Sequence, residues 1–148
     1  LTSEAEWPRH IAHEPKGLPL IQAINERCKA PRDCAELAML VGEFHTHGHR
    51  ALELRANTVQ KLFERLDAYR RPERVQQFLQ ACEADARGRT GFEDRAYPQA
   101  DYLMRLHRAA RSVSTREIAD AGFQGPEFGE ELARRRVAAI QAEKSTAA

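Results

Sequence analysis

Three cysteines, Cys28, Cys34 and Cys82, are too few and too irregularly spaced to carry much structure. No two sit in a CxxC pair, which excludes a zinc ribbon, and an odd count argues against a disulfide framework. Both observations fit a reducing compartment, and the expected location is cytoplasmic. No apolar run approaches the roughly 20 residues that span a bilayer, and no signal peptide opens the chain, so no membrane partner is expected. An excess of charge is also lacking. With 23 basic residues against 22 acidic ones the formal net charge is +1, so a nucleic-acid surface would have to come from local segregation of charge. Trp7 and the three tyrosines form no stacking series of the kind that binds single strands. There is no P-loop, no GxGxxG fingerprint and no GxSxG. The chain starts at Leu1 without an initiator Met and is expected to be a piece of something longer.

What the sequence does have is helical periodicity. Its 148 residues, 42% hydrophobic and 30% charged, suit one globular domain or two small helical lobes. Residues 1–17 read as an irregular lead-in. Leu18, Ile21, Ile24 and Cys28 then fall at helical spacing up to Pro31. Asp33 is placed to cap a second helix with Leu37, Leu40, Val41 and Phe44 on its apolar face, continuing toward His49. Asn57 is placed to cap a third, carrying Val59, Leu62, Phe63 and Leu66. Pro72 opens a fourth, with Val75, Phe78, Leu79 and Cys82 inward. After Tyr97-Pro98 a fifth helix turns Tyr102, Leu103, Leu106 and Ala110 inward. Ser114-Thr115-Arg116-Glu117 is a capping box for a short helix ending near Gly122. Gly125-Pro126 starts the last, with Phe128, Leu132, Val137 and Ile140 roughly on one side and a frayed end from Ser145. No stretch alternates with period two. The expected fold is all-α, with about seven helices.

One stretch breaks the periodicity, Glu83-Ala-Asp-Ala-Arg-Gly-Arg-Thr-Gly-Phe-Glu93. Gly88 and Gly91 bracket Arg89 and Thr90, so the backbone can turn tightly and approach a partner closely. Arg87 and Arg89, two residues apart, can face one ligand, and Glu83 and Asp85 are near enough to orient them. Permanently charged planar forks suit phosphate. The competing reading is a helix C-cap at Gly88 with solvated charges.

Five of the six histidines lie in two short stretches, His10 and His13 followed by Glu14, and His45, His47 and His49. His45 and His49 share a helical face at four-residue spacing, which can hold a metal. Alternatively, His45 closes the apolar face beneath Phe44 and His47 points to water. Glu43 is on the wrong face to add a carboxylate, and Glu14 is the nearby candidate. Arg134-Arg135-Arg136 cannot form one flat patch, because successive helical residues point about 100° apart. Glu130 and Glu131 can pair with Arg134 and Arg135 on a solvated helix.

The segment 83–93, with Tyr97-Pro98-Gln99 after it, resembles the C-terminal part of bacterial multifunctional CCA proteins, the tRNA nucleotidyltransferases that carry an HD domain. Trp7-Pro8-Arg9-His10 with His13 is similar to the family's Trp-Pro-Arg-His-His-Gly-His stretch, and Val41-Gly42-Glu43-Phe44-His45 to its Val-Ala-Glu-Phe-His. Lys61-Leu62-Phe63, residues 67–72 and residues 130–136 follow family patterns as well, so the resemblance covers essentially the whole chain. It implies a remnant of the HD domain over 1–71 and a helical tail over 72–148. The nucleotidyltransferase domain, which uses Mg2+, CTP and ATP, is absent, so nucleotidyl transfer has no catalytic residue here. Of the HD ligand set for a divalent transition metal, His10, His13 and His45 are the matching positions. The family's leading His and His-Asp pair would precede Leu1. Three positions depart from the pattern: Thr46 stands where better-known members have Asp, Ala12 replaces a Gly and Ile11 a His. A threonine hydroxyl is a far poorer metal ligand than a carboxylate.

Three functions follow as expectations. In the first, Arg87, Arg89, Arg134 and Arg135 bind tRNA for 3′-terminal CCA addition and repair, with Glu83, Asp85, Gly88 and Gly91 in support. In the second, His10, His13 and His45 belong to a metal phosphohydrolase acting on 2′,3′-cyclic nucleotides. In the third, the chain packs on the catalytic domain or forms a homodimer.

Overall fold

The stripe Val59, Leu62, Phe63 and Leu66 is the floor of the core, each residue at most 2% exposed. The computed structural model describes residues 13–146, and around this stripe it arranges seven α-helices and one 3₁₀ turn, with no strand among the described residues. In chain order these are α1 (His13–Arg27), α2 (Arg32–His49), the 3₁₀ turn (Ala51–Glu53), α3 (Ala56–Arg65) and α4 (Glu73–Arg87). Then come α5 (Pro98–Arg111), α6 (Thr115–Asp120) and α7 (Gly125–Thr146). The all-α expectation holds. Helix α7 packs on α5 and α3, α4 on α2 and α5, and α1 on α2. Phe63, Phe78, Leu103, Leu106 and Ile140 meet in a single core cluster drawn from α3, α4, α5 and α7. His107 is buried among them, its ring 5.1 Å from Phe63 and its Nε2 3.0 Å from the Ala68 carbonyl. Desolvation lowers its pKa, so it stays neutral as a core residue.

Several boundaries differ from the sequence expectation. Helix α1 begins by His13, so Pro15 and Gly17 are helical rather than part of an irregular lead-in. Pro15 occupies the first turn, where a missing N–H costs nothing. Pro19 removes an interior hydrogen bond, and the helix persists because its apolar side is held against α2. Cys28 lies beyond the helix, in a turn closed by Lys29 at φ 49. Neither Asp33 nor Asn57 is a cap. Pro31 and Arg55 hold those positions without a side-chain cap, and their carbonyls accept from Ala35 and Val59 to close the first turns. Ser114 does cap α6, accepting from the Glu117 N–H at 3.2 Å. The end of α7 is not frayed from Ser145. Lys144 Nζ donates to the Leu54 carbonyl at 2.7 Å and the Tyr102 hydroxyl at 3.0 Å, and the helix runs on to Thr146.

Two features fix α2 against α4. A Cβ at Gly48 would lie 2.8 Å from Cys82 Sγ and 3.4 Å from Phe78, so the helices approach to glycine distance. Burial, with Asp85 nearby, pushes the Cys82 thiol up to about 12. At the other end Glu36 accepts from Arg74 at 2.9 Å, Arg32 at 2.8 Å and Arg71 at 3.2 Å. The Arg74 side chain is 8% exposed, so this carboxylate is the counter-ion of a nearly buried charge. The hydrogen bonds from Arg74, then Arg32, hold Glu36 at about 2 against an ordinary 4.5.

Gly48→Ala should lower stability by about 1–3 kcal/mol through overpacking, read as a reduced urea midpoint at unchanged m-value. The Glu36 carboxyl is depressed in the folded state, so its contribution is present above about pH 4.5 and is lost as pH falls toward 2. Glu36→Gln should therefore flatten the acid limb of the stability curve in that window, as checked by denaturation at stepped pH.

Candidate nucleic-acid groove and histidine cluster

Only half of the segment 83–93 departs from helix. Glu83 through Arg87 form the last turns of α4, and Gly88 is its C-cap at φ −69. Two successive turns follow, closed by Phe92 N–H to the Arg89 carbonyl at 2.9 Å and Arg95 N–H to the Phe92 carbonyl at 3.0 Å. Gly91 sits at φ +85 with open space around it, so the backbone conformation is what requires glycine there. The Glu93 carboxyl is held below the usual range by the N–H groups of Glu93 and Gly91, so it serves its own loop.

Glu83 pairs with Arg87 at 2.9 Å, as its spacing suggests, and Arg87 Nε also donates to the Arg95 carbonyl at 3.2 Å. Asp85 does not orient an arginine. It accepts from His49 Nε2 at 2.8 Å, because the end of α2 lies over this turn of α4. The other nitrogen, His49 Nδ1, accepts from the Tyr97 hydroxyl at 3.1 Å, and Gln99 donates to the His49 carbonyl at 3.1 Å. Burial raises the Tyr97 pKa, keeping that hydroxyl a donor. His49 thus ties α2 to α4 and to the start of α5.

These ties border an open cleft of about 620 Å³. Arg87, Arg89 and Arg95 line it together with Phe92, Tyr97 and Leu52. Phe92 is 40% exposed and Leu52 50%, and the Arg95 guanidinium lies 5.2 Å from the Phe92 ring centre. An apolar floor with a rim of cations is suited to a planar, anionic ligand. Phe92, Arg95 and Leu52 were not legible as site residues, since only the turn geometry brings them together. Arg134 and Arg135 lie elsewhere, on α7, where both forks are held by the nearly buried Glu131 at 2.7 Å, with Glu130 uninvolved. These bonds hold Glu131 at about 2. Arg136 lies 3.5 Å above the Tyr69 ring, so the arginine run is indeed no flat patch.

The histidines converge as well. His13 Nε2 and His45 Nε2 are 2.9 Å apart, and Glu14 joins them with all three ligand atoms within 4.8 Å of one another. His45 Nδ1 faces the Val41 carbonyl at 3.1 Å, which places the proton there and turns the Nε2 lone pair toward His13 and Glu14. Among the described residues, Glu14 Oε1 is buried with no hydrogen-bond partner. Two imidazoles and a buried unsatisfied carboxylate fit a divalent transition metal. His10 lies outside the described residues. Glu43 is on the other side, bound by both its oxygens to Arg65. His47 does not point to water: its Nδ1 is buried and its ring stands edge-on to Phe44 at 5.7 Å. The rings of His13, His45, His49 and Tyr97 follow one another at 5.0, 5.7 and 5.9 Å, so the cluster and the cavity adjoin. No helix among the described residues is long and apolar enough to cross a membrane.

No protein-family model and no solved structure matches the chain. Curated proteins do match. The multifunctional CCA protein of Ectopseudomonas mendocina is 64% identical over 145 residues, 98% of this chain and 35% of that protein. That of Pseudomonas fluorescens is 59% identical over all 148 residues, 36% of its length, and that of Pseudomonas aeruginosa 58% over 144, 35% of its length. The chain thus spans about a third of the length of these relatives. Identity at this level along nearly every residue makes the chain similar to the C-terminal portion of multifunctional CCA proteins.

Proposed function

We propose that this chain is the tRNA-holding C-terminal part of a cytoplasmic CCA-adding nucleotidyltransferase, positioning the tRNA 3′ end for a catalytic domain that uses CTP, ATP and Mg2+. On this reading residues 1–71 derive from the HD domain and 72–148 form the tail, the two sharing one core. The observation that carries the proposal is the cavity rimmed by Arg87, Arg89 and Arg95. RNA is recognised largely through shape and backbone, and fixed guanidinium forks at a helix end are matched to phosphate. Arg134 and Arg135 contribute less in this account, because Glu131 already neutralises them.

The Arg87→Ala/Arg89→Ala variant should bind tRNA more weakly, with the slope of log K against log salt shallower by about one, since Arg87 is already paired with Glu83. Fluorescence anisotropy at stepped salt measures this, and unchanged affinity at an unchanged melting temperature would contradict it.

The orphaned Glu14 oxygen beside His13 and His45 supports a second activity in the longer protein, metal-dependent hydrolysis of 2′,3′-cyclic nucleotides. His13, Glu14 and His45 would hold the ion, whose chemistry is to lower the pKa of a bound water. Thr46 supplies only a hydroxyl where better-known members supply a carboxylate. Restoring the upstream residues should give metal-dependent hydrolysis that Glu14→Gln reduces, together with metal content. Inactivity of the longer protein with metal bound would reject this reading.

A further inference from the structure

We infer that the cavity between the end of α4, the 88–97 loop and the 3₁₀ turn takes a single unpaired nucleotide of an RNA strand, its base against Phe92 and Tyr97 and its phosphate on Arg89 and Arg95. The inference rests on the tRNA-binding proposal and narrows it. A duplex offers its phosphates on a convex surface and keeps its base faces stacked, so it can meet a rim but cannot fill a recess. An unpaired residue can be splayed out of the strand, and such bases are held by aromatic rings and by guanidinium planes. At about 620 Å³ the recess falls within the size range of small-ligand sites.

The charge bookkeeping of the rim separates its cations. Arg87 is committed to Glu83 and the Arg95 carbonyl, Asp85 to His49, and Glu93 to the backbone of its own loop. Among the described residues Arg89 and Arg95 have no carboxylate partner, and both line the cavity. Their charge is therefore available to an incoming anion. The Arg95 guanidinium rests over the partly exposed Phe92 ring, and it marks the ring face on which a planar group can stack. A base entering there displaces or sandwiches against Arg95, which remains within the same rim to meet the phosphate. Tyr97 is fixed through its hydroxyl to His49, and Gln99 holds the His49 carbonyl, so the back wall is preorganised.

The test uses labelled RNA with this chain: a single-stranded hexanucleotide and a fully paired hairpin without unpaired overhang, each titrated at stepped salt. Phe92 is exposed enough that Phe92→Ala should leave the core intact, with a melting curve as the check. That variant should bind the hexanucleotide about ten-fold more weakly at an unaltered salt slope, and the hairpin as the parent does. Arg89→Ala/Arg95→Ala should make the salt slope shallower for the hexanucleotide. If Phe92→Ala binds the hexanucleotide as tightly as the parent while the arginine variants weaken it, the surface reads phosphate only. The nucleotide inference then falls and the tRNA proposal stands. If the arginine variants bind both RNAs as the parent does, the groove is not the RNA site and both fall.

Discussion

The contact on which the arrangement depends is the meeting of Gly48 with Cys82. Any side chain at position 48 would strike the Cys82 sulfur, so α2 and α4 lie as close as two helices with a glycine between them can. His49 is the next residue of α2, and Asp85 is one turn beyond Cys82 on α4. The close approach therefore delivers the imidazole to the carboxylate at 2.8 Å, and from there to Tyr97 at the start of α5. The back wall of the cavity follows from that approach. At the far end of α2, Glu36 on Arg74 fixes the same pair of helices by charge, so neither helix can slide along the other without losing one contact.

Arginine is abundant here, yet several of these side chains are already partnered within the fold. Arg74 is nearly buried on Glu36, Arg136 lies on Tyr69, and Arg134 and Arg135 share Glu131. With a formal net charge of only +1, arginine count alone says little about nucleic acid. What singles out the 88–97 loop is the opposite pattern, cations without carboxylates beside exposed apolar surface.

Local periodicity made the helices legible. Val59 to Leu66, Val75 to Cys82 and Leu103 to Ala110 are buried as their spacing requires, and Ser114 caps its helix as its sequence says. Boundaries were less legible, because Asp33 and Asn57 look like caps yet sit two residues past the cap positions that Pro31 and Arg55 hold. The histidine cluster was half legible: His45 stood out by spacing, while Glu14 reaches it only because α1 extends through two prolines to pack on α2. The His49–Asp85–Tyr97 connection spans almost fifty residues, and no local pattern can reveal it. The segment 83–93 stood out by breaking the periodicity, but Asp85 does not pair with an arginine, since its partner comes from another helix.

The central claim is that RNA engages the loop after α4. The most direct measurement is backbone amide chemical-shift mapping of this chain on addition of tRNA. The account predicts that the largest perturbations cluster at Leu52 and from Arg87 to Tyr97, with α7 around Arg134 little affected. Perturbations confined to α7 or α1, with the loop unchanged, would contradict it.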